Sequence, residues 1–521
     1  MSAVIRPNFH HTMAESIYDK IQNRSANYHY YLGKVLPWQF EGAIADAPNP
    51  SNNMDEENDS RNNMIGIKQI NINDVSFITR RIDWSSRVFD AYDDLDTVMV
   101  EEDFYVLTED FNVYKCIENN KGAVSTVKPT GFDVGYTSTA DGYIWKFMYF
   151  MPLALRNKFL TPNYMPVIKK VKNQYYSAGV IENYVLNDSG QDYDPDETYA
   201  VIQGDGADGA ASLTIENGQI TAVTIDNPGT GYTIAYLTVT KGALDPGTGA
   251  DIDLVLSSPG DLDSQQADVE TLTVDGDISQ IVVTRSDNSF TSVPAVTITG
   301  DGTGATATAT LDVNGAVSQI ILNNRGSGYT YADISIAAEL DGLRSATARA
   351  VISPQYGHGF NAPRELIADT LCFHTSFENE LNQGVLVNNQ YRQFGIIKDV
   401  EIFDAKRYYI TDSGSACYLV EGTLVGDSFP EDQLVATAGS VKILRTVTSE
   451  DNKLLAQSLD GTIPAIGDIF FNAAETAYFT VTAVTNPQIN KKTGEILFID
   501  NRLAFTSSEE QTVTFRSFIK F

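Results

Sequence analysis

NVYKCI (112–117) and ADGYIWKFMYFMP (140–152) decide how the rest of the chain is read. In an extended strand Tyr143, Trp145, Phe147 and Tyr149 point to one face, and Ile144, Met148 and Phe150 to the other. Only Lys146 breaks the pattern. A strand apolar on both faces is buried on both faces, so Tyr143–Phe150 is predicted to be a central core strand. The competing reading, an aromatic row that stacks a ligand, has less in its favour. Asp141-Gly142 supplies the turn before the strand, and Pro152 ends its ladder. Phe104–Thr108 and Asn112–Ile117 read as a hairpin that adds neighbouring strands.

Upstream, residues 12–24 have a helical pattern. Thr12 and Glu15 are spaced as a capping box, and Met13, Ile17, Tyr18 and Ile21 share a face. Tyr28–Phe40 reads as a strand interrupted by Gly33 and stopped near Pro37. Residues 44–63, rich in Asn, Asp and Pro, read as loop. Ile67–Ile72 and Val75–Arg81 are short β-like runs, and Arg80-Arg81 beside Asp83-Trp84 reads as an ion-paired structural corner in preference to an anion site, because acids lie so close.

From Tyr199 the composition turns to Gly, Thr, Ala, Val and Asp, and the chain repeats itself. Residues 204–240 align with 300–337. Each copy has an alternating strand, an Asn-Gly hairpin turn (Asn217-Gly218, Asn314-Gly315), a second strand, and then GTGYT or GSGYT. A degenerate middle copy at 247–299, with SDNSFTS in place of the Gly-rich turn, brings the expected count to three units. Further on, Pro363–Thr370 reads as a short helix and YRQFGIIKD (391–399) as a strand. Residues 417–490 hold five short strands, enough for a small barrel or sandwich. The last strand runs to Phe521, as expected of a terminus paired into a sheet.

The chain of 521 residues carries 36 Lys+Arg against 68 Asp+Glu, a net charge of −32. Binding to nucleic-acid phosphates or anionic membranes needs clustered cations, so neither partner is expected. The N-terminus has no apolar signal-peptide core, and no run is long enough to span a bilayer, which fits synthesis in a cytoplasm. Cys116, Cys372 and Cys417 are odd in number and far apart, and read as buried reduced thiols. His10-His11 reads as an entry loop rather than a metal site. The glycines of GDGTG (300–304) lead into a strand, not a helix, so they do not form a phosphate loop. Asp192, Asp194 and Asp196 alternate, and a strand would put them on one face with Glu197 adjacent. The glycine of a calcium loop is missing, and a solvated acidic loop is the simpler reading. The five histidines, His374 in CFHTSF included, fall in no catalytic signature. No catalytic, cofactor-binding or metal residues are therefore assigned, no cofactor is expected, and no reaction is specified.

Seven stretches in order resemble one family, the dimer-forming baseplate wedge subunit of T-even-like contractile phages. They are LGKVLPWQ (32–39), ITRRIDW (78–84), NVYKCI (112–117), DGYIWKFMYFMP (141–152), YRQFGIIKD (391–399), TGEILFIDNR (493–502) and the terminal VTFRSFIKF. The resemblance implies a structural, non-enzymatic virion protein of the tail baseplate. Such a protein pairs with a second copy, joins other wedge proteins, and sits in a ring that rearranges on contraction. The expected fold class is mainly β with a few helices (α+β): a β-sandwich-like core with two β inserts. The core would comprise 1–165, 357–416 and 491–521, with 166–198 as connector, 199–356 as the Gly-rich repeat insert and 417–490 as the second insert. The Tyr- and Gly-rich repeats, similar to those of cyanophage structural proteins, leave a second expectation, a glycan-binding adhesin or tail-fibre component. A polysaccharide-degrading enzyme on a β scaffold rests on carboxylate content alone.

Overall fold

The computed structural model describes residues 7–34, 37–39, 46–93, 95, 99–131, 133, 135–169, 180–204, 206–230, 232, 235–242, 245–256, 273–286, 290–338, 346–377, 390–426, 434–437, 440–450, 452–458, 463–471, 476–506 and 513–521. The fold is mainly β with a few helices. The chain divides into two compact units: Met1–Thr12 with Phe77–Thr370 and Phe521, and Met13–Ser76 with Leu371–Lys520. The stretches that resemble the wedge family fall in both units.

In the first unit, Tyr105–Leu107, Asn112–Asn119, Tyr143–Phe150 and Tyr136–Ser138 form a four-stranded antiparallel sheet in that order. The Tyr143 strand has a neighbour on each side, and Tyr143, Trp145, Phe147, Met148 and Tyr149 are all buried. The two tyrosine hydroxyls are satisfied within the sheet's surroundings. Tyr143 Oη accepts from Phe89 N (3.2 Å) and donates to Ala123 O (2.5 Å), and Tyr149 Oη donates to Pro166 O (2.8 Å). The preceding turn is held by Asp141, whose carboxylate accepts from Thr126 N (2.7 Å) and Val127 N (2.9 Å). Pro152 caps the helix Leu153–Phe159.

Among the described residues the repeat region forms two nested sets of six strands rather than three units. In the first set Ile181–Gln191 pairs with Thr248–Leu256, Thr198–Gly204 with Ala235–Lys241, and Ala207–Glu216 with Gln219–Thr230. In the second, Ile278–Arg285 pairs with Thr347–Ile352, Val296–Gly300 with Ala332–Ile336, and Thr306–Leu311 with Val317–Asn324. The expected middle copy at 247–299 is divided where it is described: 248–256 closes the first set, and strands 278–285 and 296–300 open the second, while 257–272 and 287–289 lie outside the described residues. The two Asn-Gly turns sit at the tips of the innermost hairpins, as expected.

The glycines have a packing role. Gly-x-x-Tyr recurs at 190–193, 229–232 and 326–329, and each tyrosine is buried with its hydroxyl accepting a backbone N–H. The donors are Ala250 to Tyr193 (3.1 Å), Gly209 to Tyr232 (3.1 Å) and Ala305 to Tyr329 (3.4 Å). Gly326 has φ +67°, and a Cβ there would lie 2.6 Å from Thr303 O and 2.9 Å from the Tyr329 ring. GDGTG is therefore the bed of a tyrosine ring. Gly326→Ala is expected to lose about 1–3 kcal/mol through left-handed strain and overlap. Hydrogen exchange of the 306–324 hairpin would register that loss.

In the second unit a five-stranded antiparallel sheet runs Ser413–Ser415, Met64–Gln69, Tyr28–Gly33, Gln390–Lys398, Glu495–Thr506. Every residue of Tyr28–Gly33 is buried at its centre. Tyr418–Val425, Lys453–Ser458, Ser440–Glu450, Leu434–Thr437, Ile469–Phe471 and Tyr478–Thr485 close into a barrel. The barrel is filled by Val420, Leu454, Ala456, Phe470, Phe479 and Val481. Val513–Lys520 lies beside Thr370–Phe377.

Two helical expectations are corrected. The first helix spans Pro7–Gln22, and Thr12 is inside it, its hydroxyl donating to Asn8 O (2.8 Å) rather than capping. Residues 54–63, read as loop, form a helix (Met54–Asn63) capped by Asn53, which accepts from Glu56 N (2.8 Å). Asp55, Glu56 and Glu57 complement its N-terminal dipole. Arg61 then anchors it by donating to the carbonyls of Lys491 (3.1 Å), Thr493 (2.7 Å) and Gly494 (2.8 Å).

Candidate functional site, a buried ion cluster on the central sheet

Lys115 and Lys146 are register partners on adjacent strands of the first unit's sheet. Both are buried, Lys115 completely. Burial of a lysine is tolerated only against a matching charge. For Lys115 that charge is Glu365, with Nζ 2.9 Å from Oε2. Tyr92 covers the ammonium with its ring, 4.0 Å from Nζ to the centroid.

Glu365 closes the short helix Ala362–Glu365, which starts at Asn361. Its carboxylate also accepts from Gly359 N (2.9 and 3.1 Å) and Asn361 N (3.1 Å). His358 lies just before this turn. Its Nε2 shares a hydrogen bond with Ser279 Oγ (2.7 Å), and its Nδ1 is 3.8 Å from Glu365 Oε2. Tyr92 meets the imidazole edge-on, with centroids 4.9 Å apart. Asp277 is buried beside them, bonded by the Tyr136 hydroxyl.

A second layer of ion pairs rings the cluster. Arg325 reaches Glu118 (3.0 Å) and the carbonyls of Ile278 (3.1 Å) and Ser279, with its guanidinium 4.2 Å from the Tyr136 ring centroid. Arg349 pairs with Asp93, and Gln280 Nε2 donates to Tyr92 O (3.0 Å). The contacts to Glu118, Tyr136, Asp93 and Tyr92 join the second repeat set to the sheet and its flanking loop, whereas the two carbonyl bonds of Arg325 stay within the set.

The charges of the cluster shift one another's proton affinities. Burial alone would raise the Glu365 carboxyl, but the Lys115 charge and His358 outweigh it and bring it down to about 2. Burial lowers both lysines, with the carboxylates opposing. Burial, reinforced by the Lys115 charge, pulls His358 down to about 4, and burial does the same to His29 in the second unit. Each folded value lies below the unfolded 6.5, so the unfolded chain takes up the proton first as pH falls. The stability they contribute is complete above pH 6.5 and is lost between 6.5 and 4, at about 1.4 kcal/mol per pH unit for each histidine. Urea unfolding at stepped pH checks this, with a decline beginning below pH 6.5.

Of these residues only Lys146 stood out in the sequence, as a charge in an apolar strand. Lys115, Asp277, His358 and Glu365 come from separate stretches, and only the fold gathers them. Asp192, Asp194 and Asp196 lie in a bend and turn, not the strand that would have aligned them. Asp194 accepts from Asp196 N (3.0 Å), and its own N–H donates to Asp245 (3.3 Å). No group of three potential metal ligands gathers among the described residues. His11 is helical and bonded to Ala368 O (2.9 Å). The Arg80-Arg81 corner is ion-paired, to Asp103 (2.6 Å) and Asp83 (2.9 Å). The three cysteines are buried and unbridged, and burial pushes the Cys372 thiol up to about 12. No helix among the described residues is long and apolar enough to cross a membrane. A surface hollow of about 820 Å³ in the second unit is lined by Phe394, Phe515, Arg516 and the ion pair Arg502–Asp500 (2.8 Å).

No protein-family model and no curated protein matches this chain.

Proposed function

We propose that this chain is a structural subunit of the baseplate wedge of a contractile phage tail. It pairs with a second copy and joins neighbouring wedge proteins in the ring that rearranges on contraction. One observation carries the reading. Of the seven stretches that resemble the wedge subunit, five fall in or adjoin the largely buried strands Tyr28–Gly33, Val75–Arg80, Asn112–Asn119, Tyr143–Phe150 and Gln390–Lys398, and the last two fall in strands that lie beside buried ones, Glu495–Thr506 and Val513–Lys520, whereas the repeats and the barrel fall between them in the sequence. Such a layout suits a framework with decorations. The ion cluster supports the same reading, because its charges are spent on one another and on backbone N–H groups. A net charge of −32 favours solubility before assembly.

Light scattering on the purified chain tests the pairing. A mass of twice 57.1 kDa is expected, and a strict monomer at high concentration that also fails to co-assemble with other tail proteins contradicts the proposal. The second reading, glycan binding by the repeats, draws on the exposed Tyr199, Tyr236 and Tyr331. A glycan array probed with the full chain decides it, and no binding to any glycan removes it.

A further inference from the structure

We propose that the second repeat set is fastened to the four-stranded sheet by an acid-releasable clasp centred on His358. The imidazole is buried where three parts of the first unit meet. The sheet supplies Lys115 from Asn112–Asn119, Lys146 from Tyr143–Phe150 and Tyr136 from Tyr136–Ser138, with Tyr92 from the loop beside it. The repeat set supplies Ser279 and, just before its first strand, Asp277. The returning segment supplies Glu365.

The neutral ring fits this place. Nε2 is satisfied by Ser279, and Nδ1 has no hydrogen-bond partner. A protonated ring does not fit. The nearest carboxylate oxygen, Glu365 Oε2, is 3.8 Å from Nδ1, beyond hydrogen-bonding distance, and already accepts from Lys115 and Gly359. A new cation there meets the charge of the buried Lys115 ammonium in a site closed to water. Parting the two faces hydrates the charge. Parting also separates Arg325 from Glu118 and Arg349 from Asp93, and hydration of the four freed charges offsets most of what those pairs contribute. The lowered affinity of His358 for its proton agrees with this geometry.

In sequence the first repeat set lacks a counterpart of Arg325. Aligning the Gly-x-x-Tyr corners puts Pro228 where the second set has Arg325. The clasp therefore belongs to one set, and the two repeats should respond differently to acid.

The test is hydrogen exchange on the full chain, incubated across pH 7 to 4 and then pulsed with deuterium at one fixed pH. Peptides from 112–119, 143–150 and 278–285 are expected to lose protection together at a pH where the 207–230 hairpin stays protected. In His358→Gln, which keeps a polar group in reach of Ser279 without titrating, that midpoint moves to lower pH. In His29→Gln it does not move. An unchanged midpoint in His358→Gln overturns the proposal, as does simultaneous loss across the whole first unit. Should His358→Gln fail to fold, imidazole NMR on the wild-type chain decides. His358 must protonate at the pH where protection is lost, and a ring still neutral after that loss overturns the clasp.

Discussion

Lys115→Met will lower the stability of the first unit by about 3–5 kcal/mol, because it strands the Glu365 carboxylate in a site closed to water. The loss is larger than removal of a surface ion pair, worth about 0–1 kcal/mol, would give. Replacing both charges separates the cost of orphaning from the worth of the pair. Glu365→Gln keeps an oxygen for the N–H groups of Gly359 and Asn361 and removes the negative charge. Lys115→Met with Glu365→Gln is therefore expected to recover much of the stability lost in Lys115→Met alone. Native-state hydrogen exchange of 112–119 measures both variants without assuming that the whole chain unfolds in one step. Equal losses in the single and double variants would show that the ion pair is not what holds this junction.

Trp145→Ala is expected to cost a similar amount, about 3–5 kcal/mol, for an unrelated reason. The indole is fully buried, stacked on Tyr143 (centroids 5.5 Å apart, 15° between planes) and met edge-on by Phe89 (5.7 Å, 72°). Truncation leaves a cavity between a sheet and a loop that is pinned by the Tyr143 hydroxyl, so collapse is limited. Trp145→Phe retains an aromatic ring and should cost less. Urea midpoints of the two variants give the comparison. A neutral Trp145→Ala would mean that the Tyr143 strand is peripheral to the folding of its unit.

The sequence announced that strand because its pattern is local. Residues apolar on both faces need neighbours on both sides, and the chain carries that requirement within Tyr143–Phe150. The innermost repeat hairpins were legible for the same reason, through alternation and Asn-Gly turns. The outer pairing was not, since nothing local tells Ile181–Gln191 to pair with Thr248–Leu256 across four intervening strands. Helix Met54–Asn63 has no apolar stripe to reveal it. A cap, an acidic first turn and the reach of Arg61 to distant carbonyls hold it instead. The ion cluster was half legible. Lys146 in an apolar strand signals a buried counter-charge nearby, but the carboxylates that answer it lie at 277 and 365, where nothing in the sequence singles them out.

The most direct measurement of the proposed role is a cryo-EM map of an intact contractile tail that contains this chain. The wedge reading predicts paired copies in the baseplate ring around the hub, with both compact units docked against neighbouring wedge proteins. A map that places the chain only in a distal fibre, or leaves it out of the tail, contradicts that reading.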